Sequence, residues 1–378
     1  MLFRSILAVL IATALAVSVT GCAGNATSSS DSTSASSVAE SSDTSTQTSS
    51  DASSEDESKE ESSQEESKDL EANYTKYTLD GDLTQHMIDM SRLNEGNKVR
   101  LANVIKKLKN GEEVTVGFIG GSITQGTSAG NDLCYAKLTA DWLQKIYSNA
   151  KINYVNAGIG ATGSYIGVHR VANDLLSKKP DLVFVEFSVN DTTENTERNK
   201  KSYDGLLRTI WKSSTNPAII TIATTQEDGT SFQDQHAEIV KHYDLPMISY
   251  RNTILDTIKH GDIVWKDISD DNIHPNVPGH KIVSQLLQAY ISDVDKDVDN
   301  ISGSESDFTT PATDAPIENG SLIQPSSATD VTATGAFGNY EQQFGGFDGF
   351  WLFKGTSSSR SEERRVEKEC RSRWSPYH

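Results

Sequence analysis

The chain predicts an α/β protein, a doubly wound three-layer α/β/α sandwich built on a mainly parallel sheet. Three observations carry this expectation. Short apolar runs rich in β-branched residues, at 114–119, 152–155, 181–187, 218–224 and 246–250, alternate with longer segments of helical periodicity. The stronger runs are apolar on both faces, as strands covered by helices on each side must be. The alternating region spans about 200 residues, enough to bury a sizeable core.

The folded part is expected to begin between Tyr74 and Leu93. Residues 94–110 predict a helix whose apolar face is Val99, Leu101, Val104, Ile105 and Leu108. Lys109, Asn110 and Gly111 end it. The strand at 114–119 follows, then Gly120 and Gly121, which permit a tight turn directly before Ser122. A polar loop at 124–132 is placed to line a cleft. Helices are predicted at 133–147, 164–177, 199–212, 233–243, 253–259 and 278–291, the last with Pro278 in its first turn. Residues 262–267 are expected to be extended.

One motif argues for a different chemistry and must be weighed. Residues 158–163 match G-x-G-x-x-G, the dinucleotide fingerprint. The match falls in the second strand–helix unit rather than the first. The next strand carries its acidic residue, Asp181, at its entrance and not at its exit, where a ribose contact would be. The segment is therefore read as a tight turn bringing backbone N–H groups towards Ser122, and no cofactor is expected.

The flanks divide the chain further. Residues 1–22 read as a targeting segment, with Arg4 as the positive start and an apolar core at 6–19. Val19-Thr20-Gly21-Cys22 resembles the bacterial lipobox, which implies lipidation of Cys22 and a membrane-anchored protein facing the cell exterior. An ordinary secretory signal or a membrane helix are the alternatives, and the apolar run is short for a span. Residues 23–73 are Ser, Thr, Asp and Glu with little else, and predict a disordered tether. Such a chain has an end-to-end distance of roughly 35–40 Å. The main domain is expected at 74–298, a polar Pro-containing linker at 299–328, and the start of a truncated β-module at 329–356. Residues 357–378, crowded with arginine, resemble non-native adapter sequence, with a native basic tail as the alternative.

Composition excludes some functions. The formal net charge is −19, much of it in 31–69, and no basic patch stands out, so nucleic acid is not an expected partner. Of three cysteines, Cys22 is assigned to lipidation, Cys134 to a buried position at a helix start, and Cys370 lies in the tail. No disulfide framework or metal-ligand spacing is visible.

The chemistry rests on residues far apart in the chain. Ser122 stands at the carboxyl edge of a predicted central strand, where open α/β sheets place their ligands. Taken alone it could simply cap a helix. Phe187-Ser188-Val189-Asn190-Asp191 ends another strand, and Asp271-Asn272-Ile273-His274-Pro275 lies near the end of the same domain. Together they supply a nucleophile, an amide donor, a carboxylate and a base.

These blocks resemble those of the SGNH hydrolases, or GDSL-type esterases. Gly120-Gly121-Ser122-Ile123-Thr124 looks like the first block and Asn156-Ala-Gly-Ile-Gly160 the second. Ser188-Val189-Asn190-Asp191 looks like the third, and Asp271-x-x-His274-Pro275 the last. The resemblance runs over roughly 97–294. Two departures leave the substrate open: Gly121 stands where the family often has Asp, and Ser188 where it often has Gly.

The resemblance implies a serine esterase with Ser122 as nucleophile, His274 as general base and Asp271 as its orienting carboxylate. Asp270 is the adjacent alternative for that last role. The oxyanion hole would be formed by the Ser122 N–H, a backbone N–H at Gly160 or Ala161, and the Asn190 amide. His169 and His280 read as surface or packing positions, Arg170 as an exposed helix arginine or a substrate contact, and Glu186 as a loop anchor. The expected substrate is a short acyl ester, foremost acetyl, on a small molecule or polysaccharide. The alternatives are a lysophospholipase or thioesterase, and an inactive surface glycan-binding protein.

Overall fold

The structure, a computed structural model, describes residues 74–79, 81–193, 196–318, 320, 337–340 and 350–353. The expectations for 1–22 with Cys22, for 23–73, for 357–378 and for most of 329–356 lie outside the described residues.

Helix α1 (Gln85–Ser91) and strand β1 (Arg92–Asn94) open the domain, followed by α2 (Val99–Lys109) and β2 (Glu113–Gly120). Then come α3 (Ser122–Gln125), α4 (Tyr135–Ile146), β3 (Lys151–Gly158), α5 (Ser164–Asp174), β4 (Leu182–Glu186) and α6 (Thr196–Trp211). The second half holds β5 (Ala218–Ala223), α7 (Gln233–His242), β6 (Met247–Ser249), α8 (Tyr250–Lys259), α9 (Trp265–Ile268) and α10 (Val277–Lys296). Separately, β7 (Phe337–Tyr340) and β8 (Phe350–Phe353) pair antiparallel.

The six-stranded sheet has the order β1-β6-β5-β4-β2-β3. All neighbours are parallel except β1, which runs antiparallel on β6 at the edge. Strand β2 pairs with β3 on one side and β4 on the other, so the winding direction reverses there. The crevice beyond the carboxyl end of β2 is the topological switch point, where such sheets bind ligands.

The period-2 alternation of the strands explains why their sequences are apolar throughout. Val114, Val116 and Phe118 of β2, with Leu182 and Phe184 of β4, face a core shared with α2, α4 and α10. Ile119, Val183 and Val185 face the opposite core, against α5, α6 and α7. Phe118 and Phe184 are register partners and stack at 4.6 Å between ring centroids. No helix among the described residues is long and apolar enough to cross a membrane.

The structure departs from the sequence expectations at three places. The helix predicted from 94 begins at Val99. Asn94 belongs to β1, and Gly96 adopts φ +62° where a Cβ would overlap the backbone of Leu245 and Pro246. Within the stretch 262–267, expected to be extended, the last residues turn into α9, where Asp267 Oδ2 accepts the Val264 N–H at 2.9 Å. Finally, the stretch expected to be a linker lies as a strap along α6 and α7 as far as 318. Phe308 is buried between Trp211 and Tyr243, with centroids at 4.5 and 3.9 Å. Asp204 Oδ2 accepts both the backbone N–H and the hydroxyl of Thr313 at 2.7 Å, and Arg208 pairs with Glu318. An irregular strap has no period to read, so its composition resembles that of a linker.

Candidate active site

Strand β2 delivers Ser122 to the switch point through Gly120 and Gly121. A Cβ at Gly121 would overlap Asn190 Oδ1, so the missing side chain is what lets the Asn190 carboxamide lie beside the residue preceding Ser122.

The Ser122 hydroxyl donates to His274 Nε2 at 2.9 Å, and His274 Nδ1–H donates to Asp271 Oδ2 at 2.8 Å. The carboxylate beside Nδ1 selects the tautomer that leaves Nε2 free to accept. Asp271 also folds its own turn: Oδ1 accepts the N–H of Ile273 at 2.7 Å and of His274 at 2.6 Å. Burial opposes its ionisation, but the His274 side chain and the two backbone N–H groups outweigh that and hold the carboxyl below its usual range. Asp270 is exposed, and it is Asp271 that meets the ring.

The turn is fixed from outside as well. Trp265 Nε1–H donates to the Asp271 carbonyl at 2.6 Å, and the Ser269 hydroxyl lies within reach of the carbonyls of Asp271 and His274. Asn276 caps α10 by accepting the Gly279 N–H. A helix cap and a buried indole thus hold His274 in place.

The loop carrying Asn190 is anchored by three neighbours. Asp191 is buried; its Oδ1 accepts the Ser164 N–H at the start of α5 at 2.8 Å, and its Oδ2 meets His236 Nε2 at 2.9 Å. His236 is itself fully buried and stacked on Tyr203 at 3.6 Å. Ser188 fills the position where the family often has glycine. Its hydroxyl accepts the Thr224 N–H at 2.7 Å, tying the ends of β4 and β5. Glu186 anchors the loop as expected, accepting from the Ser188 N–H at 3.2 Å and the Thr224 hydroxyl at 2.7 Å. Burial pushes its carboxyl up to about 7.

Gly160 lies next to the serine, with a Cβ there 3.8 Å from Ser122 Cβ. Its N–H, however, donates to Gln125 Oε1 at 2.8 Å. Gln125 follows Ser122 by one helical turn on α3, so this donor is engaged from the nucleophile's own segment. Ala161, the other candidate, adopts φ +58°.

Arg170 differs from its expected roles, and His280 takes the packing role that is one of its two readings. Arg170 is neither exposed nor in reach of solvent, being 1% accessible. Its guanidinium donates to the Gly120 carbonyl at 3.0 Å and the Ala157 carbonyl at 2.6 Å, lacing together the carboxyl ends of β2 and β3. His280 is a packing residue that also ties α10 to the loop after Ser122 and the start of α4. Its Nδ1 accepts the Tyr135 N–H at 3.1 Å, and its Nε2 faces the Thr127 carbonyl at 3.4 Å. Burial draws its pKa down to about 4, keeping it neutral. Gln125 and His236 were not singled out by the sequence. Gln125 could have been noticed from its spacing to Ser122; no local signal marks His236.

A parallel sheet with a serine at its switch point, facing a histidine held by a carboxylate, defines a class of α/β hydrolytic enzymes. The family model for GDSL-like lipase/acylhydrolases matches residues 118–282. Among solved structures, a two-domain esterase active on acetylated mannans is 36% identical, with TM-score 0.63 and coverage of 68% of each chain. A structure of a two-domain esterase active on acetylated mannans, co-crystallised with mannopentaose, is 35% identical, with TM-score 0.61, covering 68% of this chain and 67% of that one. A search of curated proteins finds no match. The chain belongs to the GDSL-like lipase/acylhydrolase family and is an SGNH-type hydrolase.

Proposed function

We propose that this chain is a serine acetylesterase acting on acetylated polysaccharide, working from Ser122, His274 and Asp271. The observation that carries the proposal is the unbroken hydrogen-bonded relay from Ser122 Oγ through His274 to Asp271 at the carboxyl end of β2. His274 Nε2 takes the hydroxyl proton as Ser122 Oγ attacks the acetyl carbonyl, and Asp271 stabilises the resulting imidazolium. Collapse of the tetrahedral intermediate breaks the bond to the sugar oxygen, which receives that proton. Water then attacks the acetyl-serine by the same route and releases acetate.

The developing oxyanion needs donors. The Ser122 N–H and the Asn190 amide are the first candidates, and one such donor is typically worth about 3–4 kcal/mol. Gly160 N–H joins them only when the Gln125 side chain turns away from it. The choice of acetyl on carbohydrate is supported by the two-domain esterases described as active on acetylated mannans, both above 30% identity.

The lipobox-like Val19-Thr20-Gly21-Cys22 supports export and anchoring through lipid on Cys22, with residues 23–73 as a tether towards extracellular glycan. The test is release of acetate from acetylated mannan and acetylated xylan, beside release of fatty acid from a phospholipid, by the purified full chain. Release from an acetylated glycan with none from phospholipid supports the proposal. Preference for the phospholipid overturns it in favour of a lipase.

A further inference from the structure

We propose a second site, a binding site for a divalent transition cation of the zinc type, formed by His86, Asp256 and His260. These residues sit on α1 and α8, or at the end of α8, elements that carry none of the proposed catalytic or oxyanion residues. Asp256 and His260 are four residues apart, which places both on one face of α8. His86 reaches them from α1. One ligand atom from each of the three lies within 4.8 Å of the other two.

The geometry is that of a three-protein-ligand site. His86 Nε2 is 2.6 Å from Asp256 Oδ2, and His260 Nδ1 is 3.3 Å from the same oxygen. The two imidazole rings stand nearly perpendicular, at 83°, with centroids 5.7 Å apart. Two imidazoles on one tetrahedral ion, with metal–nitrogen bonds of about 2.0–2.1 Å, place their ring centres roughly 5–6 Å apart. Two nitrogens and one carboxylate oxygen suit zinc, with water or a further oxygen as fourth ligand. Entry of the ion replaces both the proton held between His86 and Asp256 and the one that His260 Nδ1 donates to the Asp256 backbone carbonyl at 2.9 Å, and it requires the 2.6 Å contact to open to the spacing of two ligands on one metal.

The surroundings support a closed site. His86 is 4% accessible, and the side chains of Asp256 and His260 are 13% and 17% accessible. The Tyr74 ring stacks on His260 at 4.1 Å and meets His86 edge-on at 5.3 Å, covering the cluster. The Tyr77 N–H donates to Asp262 Oδ2 at 2.7 Å, so the segment leading into the domain is pinned to the chain just beyond α8. A cation here would clip that entering segment to α8. No spacing in the sequence announces the site, because His86 is separated from Asp256 by 170 residues.

The test uses the full chain, stripped with chelator and then titrated with Zn²⁺ and, separately, Co²⁺. The expected result is one equivalent of Zn²⁺ retained per chain, a thermal midpoint raised by Zn²⁺, and the visible absorption of tetrahedral Co²⁺. His260→Gln, the more accessible ligand, should weaken binding by at least the roughly 10–100-fold that even an outer-shell partner costs. His242→Gln, on α7 and outside the cluster, should leave it unchanged. Absence of a retained equivalent overturns the assignment and leaves the three residues as a hydrogen-bonded tie. Equal Zn²⁺ affinity in the wild type and His260→Gln overturns it too. None of these readouts depends on esterase activity.

Discussion

Replacing Glu186 with Gln should stabilise the protein at alkaline pH and do little at acid pH. Glu186 ends β4, is fully buried, and accepts from Ser188 and Thr224. Its carboxyl is raised from the ordinary 4.5 to about 7, burial being the largest cause. Between those values the folded state keeps a proton that the unfolded chain has released. Stability from this group is therefore greatest below pH 4.5 and falls as pH rises through about 7. At about 1.4 kcal/mol per tenfold change, the full loss is about 3 kcal/mol. Gln keeps an accepting oxygen and cannot ionise. The gain of Glu186→Gln over wild type should grow by about 2–3 kcal/mol between about pH 5 and pH 8.

The difference between variant and wild type is the proper readout. His280 contributes the opposite slope in both proteins. Its folded pKa of about 4 means stability present above the unfolded value of about 6.5 is lost as pH falls towards 4. Denaturant unfolding at the two pH values measures the difference. An equal effect at both would refute the reasoning, because it would show that Glu186 does not hold its proton in the fold.

Three further outcomes follow from the geometry. Gly121→Ala should lower kcat by about 10²–10³ with the fold retained, because the new methyl overlaps Asn190 Oδ1 and displaces an oxyanion donor; steady-state kinetics beside a circular dichroism spectrum checks this. Asp271→Asn should lower kcat by about 10²–10⁴, since an amide at Oδ2 favours the wrong His274 tautomer, while the acetyl-ester KM stays within about threefold. Phe308→Ala should cost about 3–5 kcal/mol of unfolding free energy, as expected of a ring buried between Trp211 and Tyr243. An unchanged denaturant midpoint would mean that the strap after Val298 does not pack on the domain in solution.

The parallel sheet and the clustering of Ser122, Asn190, Asp271 and His274 were legible because each block is contiguous. A strand buried on both faces announces itself in five or six apolar residues, and its last residue marks the ligand edge. Asp271 and His274 are three apart, so one turn joins them. What was hidden is short or non-local. Helix α1 has seven residues and β1 three, too few for a period to register. Arg170 looked like an exposed helix arginine because its one partner at helical spacing is Asp174, as on a solvated face, and its other partners are carbonyls of two strands, which no spacing encodes. The bond between Gln125 and Gly160 joins two segments 35 residues apart, and His236 meets Asp191 across 45. The strap to 318 has the polar, Pro-containing composition of a linker, and only a few scattered apolar residues, Phe308 with Ile301, Ala312 and Ile317, pack it on the domain.

The most direct test of the Ser122–His274–Asp271 relay is covalent. The full chain would be mixed with p-nitrophenyl acetate, quenched within the first turnover, and the peptide containing Ser122 weighed by mass spectrometry. The relay predicts an acetyl group on Ser122 in the wild type and in no peptide of Ser122→Ala, with His274→Ala failing to accumulate it. Undiminished turnover in Ser122→Ala, or acetyl found on another residue, would contradict it.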